Sequence, residues 1–103
     1  MKTFVLGTDA AKDLHEIWEF IARDNVDAAD RLLEKLYACF QKLAAHPEIG
    51  HVRTEWTELP MRFWSLGAYL IVYRIRKNTP EIVGIFHGAR NLPELLPLRS
   101  STE

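Results

Sequence analysis

His87 and Arg90 have the types and spacing to set a proton-transfer group beside a fixed cation, the pairing that phosphoryl-transfer chemistry demands. Arg62 and Arg74, further up the chain, can add positive charge to such a site. Each has an ordinary reading as well. A histidine that ends a strand often serves as hydrogen-bonded structure, and a guanidinium holds a carboxylate of the fold or of a partner as readily as a phosphate. The other titratable candidates are weaker. His15 and His46 read as solvated helix residues, and His51 follows His46 across a proline loop with no Cys or further carboxylates to complete a metal-ligand set. Neither a metal nor a cofactor is expected. The lone Cys39 sits inside an apolar helical pattern, so it reads as a small buried hydrophobe and fits a reducing cytoplasm.

The elements that must carry these residues divide the chain into a helical half and a strand half. Phe4-Val5-Leu6 is a short β-prone run closed by Gly7, after which Thr8 and Asp9 offer side-chain oxygens to a helix start. Leu14, Ile17, Trp18 and Ile21 then recur at helical spacing, with Asp13, Glu16, Glu19 and Arg23 on the opposite face. Asp24-Asn25 breaks this helix. A second one runs from about Val26, with Ala29, Leu32, Leu33, Leu36, Phe40 and Leu43 as its apolar stripe, until Pro47 ends it. Two amphipathic helices joined so tightly form an antiparallel hairpin, and their combined stripe needs a sheet to cover it.

The second half supplies that sheet. Arg62–Leu66 and Tyr69–Ile75 are β-rich runs separated by Gly67-Ala68, a length suited to a tight hairpin. Lys77-Asn78-Thr79-Pro80 is expected as the next turn and Glu81–His87 as the last strand. The fold class is therefore α+β in the order β-α-α-β-β-β, a helical hairpin on a small, mostly antiparallel sheet. Pro93 and Pro97 limit the segment from Leu92 to Leu98 to a short helical turn, and 100–103 is expected to fray from a single domain spanning 1–99. Trp18, Phe40, Trp64 and Tyr73 read as core, and Trp56, in a polar loop, as a cover for the core edge.

Composition narrows the function classes. At 103 residues the chain suffices for one compact core. Thirteen basic and fourteen acidic residues leave a formal charge of -1, which gives no overall positive field to draw it to phosphate backbones. Met1–Gly50 holds six basic and nine acidic residues against seven and five in His51–Glu103, so an anionic partner is better placed on the second half. The opening apolar run is too short for a signal peptide and no stretch approaches a membrane span, so a cytoplasmic protein with no membrane partner is expected.

Four pieces in order resemble a known family. Asp13–Asn25 is similar to the first helix of ParE-type toxins, and Pro47-Glu48-Ile49-Gly50-His51-Val52-Arg53 to their Pro-x-x-Gly-x-x-Arg loop. Arg62 followed by Tyr69–Arg74, then His87-Gly88-Ala89-Arg90-Asn91-Leu92, matches their strand signature and closing motif, with Asn91 where Asp is usual. The resemblance is to the ParE/RelE superfamily of type II toxin-antitoxin toxins, on its ParE side, and covers nearly the whole chain. It implies a toxin that inhibits DNA gyrase and blocks replication, as plasmid-stabilisation systems do, held in a hetero-oligomer by a ParD-like antitoxin. DNA would be met only indirectly, through the antitoxin.

Two other readings follow from the same resemblance. RelE-like members cut messenger RNA on the ribosome with basic residues on the sheet and a tyrosine near the C-terminus. Here those positions correspond to Leu70 and Leu96, neither of which can move a proton or hold charge. Each general acid or base is worth roughly 10²- to 10⁴-fold, so the ribonuclease reading is disfavoured and no catalytic residue is assigned. The third reading is an inactive homologue that only binds antitoxin. On the favoured one, His87, Arg90 and Asn91 are candidates for target inhibition. Trp18, Leu33 and Tyr37 are candidates to line the antitoxin groove, with Arg62 and Arg74 anchoring acidic residues of its tail. The tail beyond Leu92 is expected to lie outside that groove.

Arg90→Ala is expected to weaken growth arrest while leaving folding intact. Induced expression paired with thermal melting checks this, and full arrest by a folded Arg90→Ala protein would refute the role.

Overall fold

The computed structural model describes residues 3–88 together with Leu92, Leu96 and Pro97. A short strand β1 (Val5–Leu6) leads into helices α1 (Thr8–Ala22) and α2 (Val26–Ala45), then a 3-10 turn at Pro47–Ile49. Strands β2 (Arg62–Leu66), β3 (Tyr69–Arg76) and β4 (Thr79–His87) follow, in the expected β-α-α-β-β-β order. The sheet runs β1-β4-β3-β2, with β1 parallel to β4 and the remaining pairs antiparallel. Arg90, Asn91 and the 100–103 tail lie outside the described residues.

Local chemistry accounts for the element ends, in two places differently from expectation. Gly7, and neither Thr8 nor Asp9, caps α1, and it does so without a side-chain bond. Its N–H instead donates to Ile82 O at 2.9 Å, and a Cβ there would lie 2.9 Å from that oxygen, so the close approach of β1 to β4 requires glycine. Asn25 caps α2 by accepting from Ala28 N–H at 3.0 Å. The β3–β4 turn is only Lys77-Asn78, both left-handed at φ 51° and 64°, so β4 begins at Thr79 and includes Pro80, which the sequence placed in the turn. The Ile82 carbonyl points to β1, where it accepts the Gly7 N–H, and Pro80, two residues earlier, precedes the β1 register that starts at Glu81.

Alternation along the strands buries both faces of the sheet. Toward the helices, Ile71, Tyr73, Ile82 and Ile85 pack with Ala10, Leu14, Leu36, Phe40 and Leu43. On the far side, Phe63, Leu70, Val72 and Val83 form a second cluster with Met61, Leu92 and Leu96, bordered by Trp56, Leu59 and Phe86. Trp56 covers this side as expected, its ring standing edge-on to Phe63 at 5.0 Å. Leu96 is fully buried in this cluster, a core role that its proline-flanked segment did not announce.

Leu96→Ala should therefore lower unfolding stability by about 2–5 kcal/mol through lost burial and the cavity left behind. Denaturant titration measures it, and a change below about 1 kcal/mol would place Leu96 outside the core.

Candidate functional site

The loop after α2 is fixed by one buried hydroxyl. Tyr73, central in β3 and fully buried, donates to Pro47 O at 2.6 Å and accepts from Gly50 N–H at 2.8 Å. A Cβ on Gly50 would fall 2.6 Å from the Tyr73 ring, so the Pro-x-x-Gly loop is glycine by close approach. Burial pushes the Tyr73 hydroxyl above its ordinary range, partly offset by the Gly50 N–H bond and the Arg62 charge. Arg62 Nη1 donates to Glu48 O at 3.1 Å and Gly50 O at 2.9 Å. His51 then pairs with Phe63 through both backbone bonds, bringing the loop onto the outer edge of β2.

The candidate antitoxin residues separate into two sets. Trp18, Leu33 and Tyr37 share one surface of the hairpin. The Trp18 indole donates to Asp30 Oδ1 at 2.8 Å, and Asp30, Leu33, Glu34 and Tyr37 border a depression of about 350 Å³. Tyr37 is 40% exposed, its ring set against Phe4 and Phe40. The two arginines do not join them. Arg62 pairs with Tyr73 and so shares the helix-facing side, while Arg74 lies on the far face with its Nε 2.8 Å from Glu81 Oε1. Arg76 approaches the same carboxylate at 3.6 Å.

Neither arginine sits beside His87. That histidine ends β4, exposed, with its ring edge-on to Tyr69 at 5.2 Å. Leu70 and Leu96, the two positions on which the ribonuclease expectation turned, belong to one apolar cluster on the far face. Burial raises the Cys39 thiol pKa, and the Lys42 charge and a hydrogen bond with Trp64 lower it by less. The Trp64 ring has the Lys42 ammonium 5.1 Å from a ring centroid and the near-parallel His51 ring at 6.3 Å.

One feature was missed from the sequence. Asp13, Glu16, Ile17 and Phe20 on α1 face Tyr69, Ile85 and His87 across a groove of about 440 Å³. Asp13 spans it by accepting the Ile85 N–H at 2.9 Å. The signal was Phe20, an aromatic that falls off the apolar stripe of α1 and is 70% exposed. Among the described residues no helix is long and apolar enough to cross a membrane.

Comparison with known proteins agrees with this geometry. Residues 5–92 match the family described as the ParE toxin of the type II toxin-antitoxin system parDE. The chain is 28% identical over 89 residues to Toxin RelE3 of Caulobacter vibrioides, a match spanning 85% of this chain and 96% of the relative. It also superposes on a solved structure titled as a chromosomal ParDE TA system from P. aeruginosa. That match has a TM-score of 0.70 at 18% identity and covers 85% of this chain and 97% of the other, a likeness of fold.

Tyr73→Phe should destabilise the fold by about 1–3 kcal/mol, since it strands a buried N–H and C=O. The raised hydroxyl pKa sets the sign of its pH effect. The contribution is complete below the ordinary tyrosine pKa of about 10 and is lost as pH rises through the higher folded value. Stability of the wild type followed by denaturant from neutral to alkaline pH should fall more steeply than that of Tyr73→Phe; parallel curves would refute this.

Proposed function

Because the chain belongs to the ParE toxin family of type II toxin-antitoxin systems, we propose that it arrests growth by occupying a macromolecular target and breaks no bonds itself. The observation that carries this reading is the far face of the sheet. Leu70 and Leu96 there pack against Phe63, Val72 and Val83, where proton transfer to and from ribose would need acids, bases and cations. The two sheet arginines are committed elsewhere, Arg62 to loop carbonyls and Arg74 to Glu81. His87 is left without either of them.

The target is DNA gyrase on this reading, by family, with His87 at the end of β4 and the residues Arg90 and Asn91 as contact candidates. The neutralising partner is an antitoxin of the ParD kind, a proposal supported by the ParDE structural likeness. Its C-terminal segment docks on the hairpin surface formed by Trp18, Leu33 and Tyr37. Arg62 and Arg74 no longer serve as its anchors, since each already holds internal partners. The protein acts in the cytoplasm, where both gyrase and antitoxin are found.

Purified protein should inhibit gyrase supercoiling and trap cleaved DNA, while messages on translating ribosomes stay whole. Codon-specific messenger cleavage that disappears in His87→Ala would overturn the binding-inhibitor reading.

A further inference from the structure

The groove between α1 and the His87 end of the sheet has a floor and a rim of different chemistry. Ile17, Phe20, Tyr69 and Ile85 supply apolar surface, and Phe20 stands 70% exposed at its mouth. An aromatic this open, beside further apolar lining, is the kind of patch that marks a contact site. The rim is acidic. Glu16 lies one turn before Phe20, and α1 as a whole carries Asp9, Asp13, Glu16 and Glu19 against Lys12 and His15. Asp13 already holds the Ile85 N–H and Glu19 lies 3.3 Å from His15, so Glu16 is the carboxylate placed to meet a partner.

Such a rim repels nucleic-acid phosphates and acidic peptides alike, whereas an arginine or lysine can pair with Glu16 and lay its aliphatic stem on Phe20 and Ile17. From this complementarity we infer that the groove is the docking surface for the toxin's protein target, and that it takes a basic segment carrying a bulky apolar side chain. The inference rests on the binding-inhibitor reading above and adds the surface and the chemistry of the segment it grips. His87, at the groove's inner wall, thereby acts as a contact to protein and not to a phosphate.

The test compares wild type, Phe20→Ser, Glu16→Lys and, as a control on exposed α2 surface, Lys35→Glu, each first shown by thermal melting to fold. Growth arrest on induction should be lost in the two groove variants and kept in Lys35→Glu. Two synthetic amphipathic peptides, identical except for Arg in one and Glu in the other, serve as probes in amide NMR titrations. The Arg peptide should shift Ile17, Phe20, Tyr69, Ile85 and His87, with about tenfold weaker binding to Glu16→Lys, a factor equal to about 1.4 kcal/mol.

Undiminished arrest by folded groove variants, the outcome expected if the antitoxin occupies this site, would overturn the inference. So would equal binding of both peptides, or self-association of wild type that Phe20→Ser abolishes, which would assign the groove to a second copy. Wild-type arrest without gyrase inhibition removes gyrase as target and leaves the groove in place. Messenger cleavage would remove the underlying reading itself.

Discussion

The hydroxyl of Tyr73 is the constraint on which the rest of the molecule turns. It reaches through the helix-side core from the central strand and closes two hydrogen bonds onto the loop leaving α2, at Pro47 and Gly50. Arg62 adds two more from the neighbouring strand, so the loop is held by side chains of the sheet it is about to join. With the loop so held, His51 meets Phe63 in register, and β2 presents Phe63 to one face and Trp64 to the other. Each neutral bond contributes only about 1 kcal/mol net, but leaving those groups buried and unpaired would cost more. The tyrosine thus acts mainly by excluding other arrangements.

Because β2 is placed this way, the sheet has two dry faces with different consequences. The helix face holds α1 against β4, tied by Asp13 to the Ile85 amide, and this contact leaves the acidic, apolar-floored groove along α1. The far face is closed by the Trp56–Met61 loop and by Leu92 and Leu96. Among the described residues this cluster is built of apolar side chains, and the charge nearest along β3 lies beyond Val72, where Arg74 and Arg76 converge on Glu81.

Much of the fold could be read from residue spacing. The stripe of α2, the Gly67-Ala68 hairpin and the α+β order all stand, because periodicity reports burial directly. What spacing could not report were interactions between distant residues. Gly7 capping α1 depends on Ile82, and Pro80 inside β4 depends on where β1 begins to pair. Pro93 and Pro97 limit the segment around Leu96 to a short helical turn, but they do not prevent one side chain from reaching a core, and spacing carried no sign that this one does. Arg62 and Arg74 share a strand pair and look like neighbours in charge, but alternation sends them to opposite faces. For the groove, Asp13 and Glu16 read as part of a wet face, since only tertiary packing brings Tyr69, Ile85 and His87 across from them.

The two-residue β1 pairs in parallel with β4, the strand formed last. Since β4 is also the partner of β3, it is the hub of the sheet, and β1 has no partner until β4 has been synthesised. During translation the helical hairpin emerges first with its apolar stripe uncovered, and the long sequence separation between β1 and β4 makes their closure a late, entropically costly event. Until β4 is in place the sheet lacks its hub, and the apolar stripes of the two helices lack Ile82 and Ile85, which complete their core.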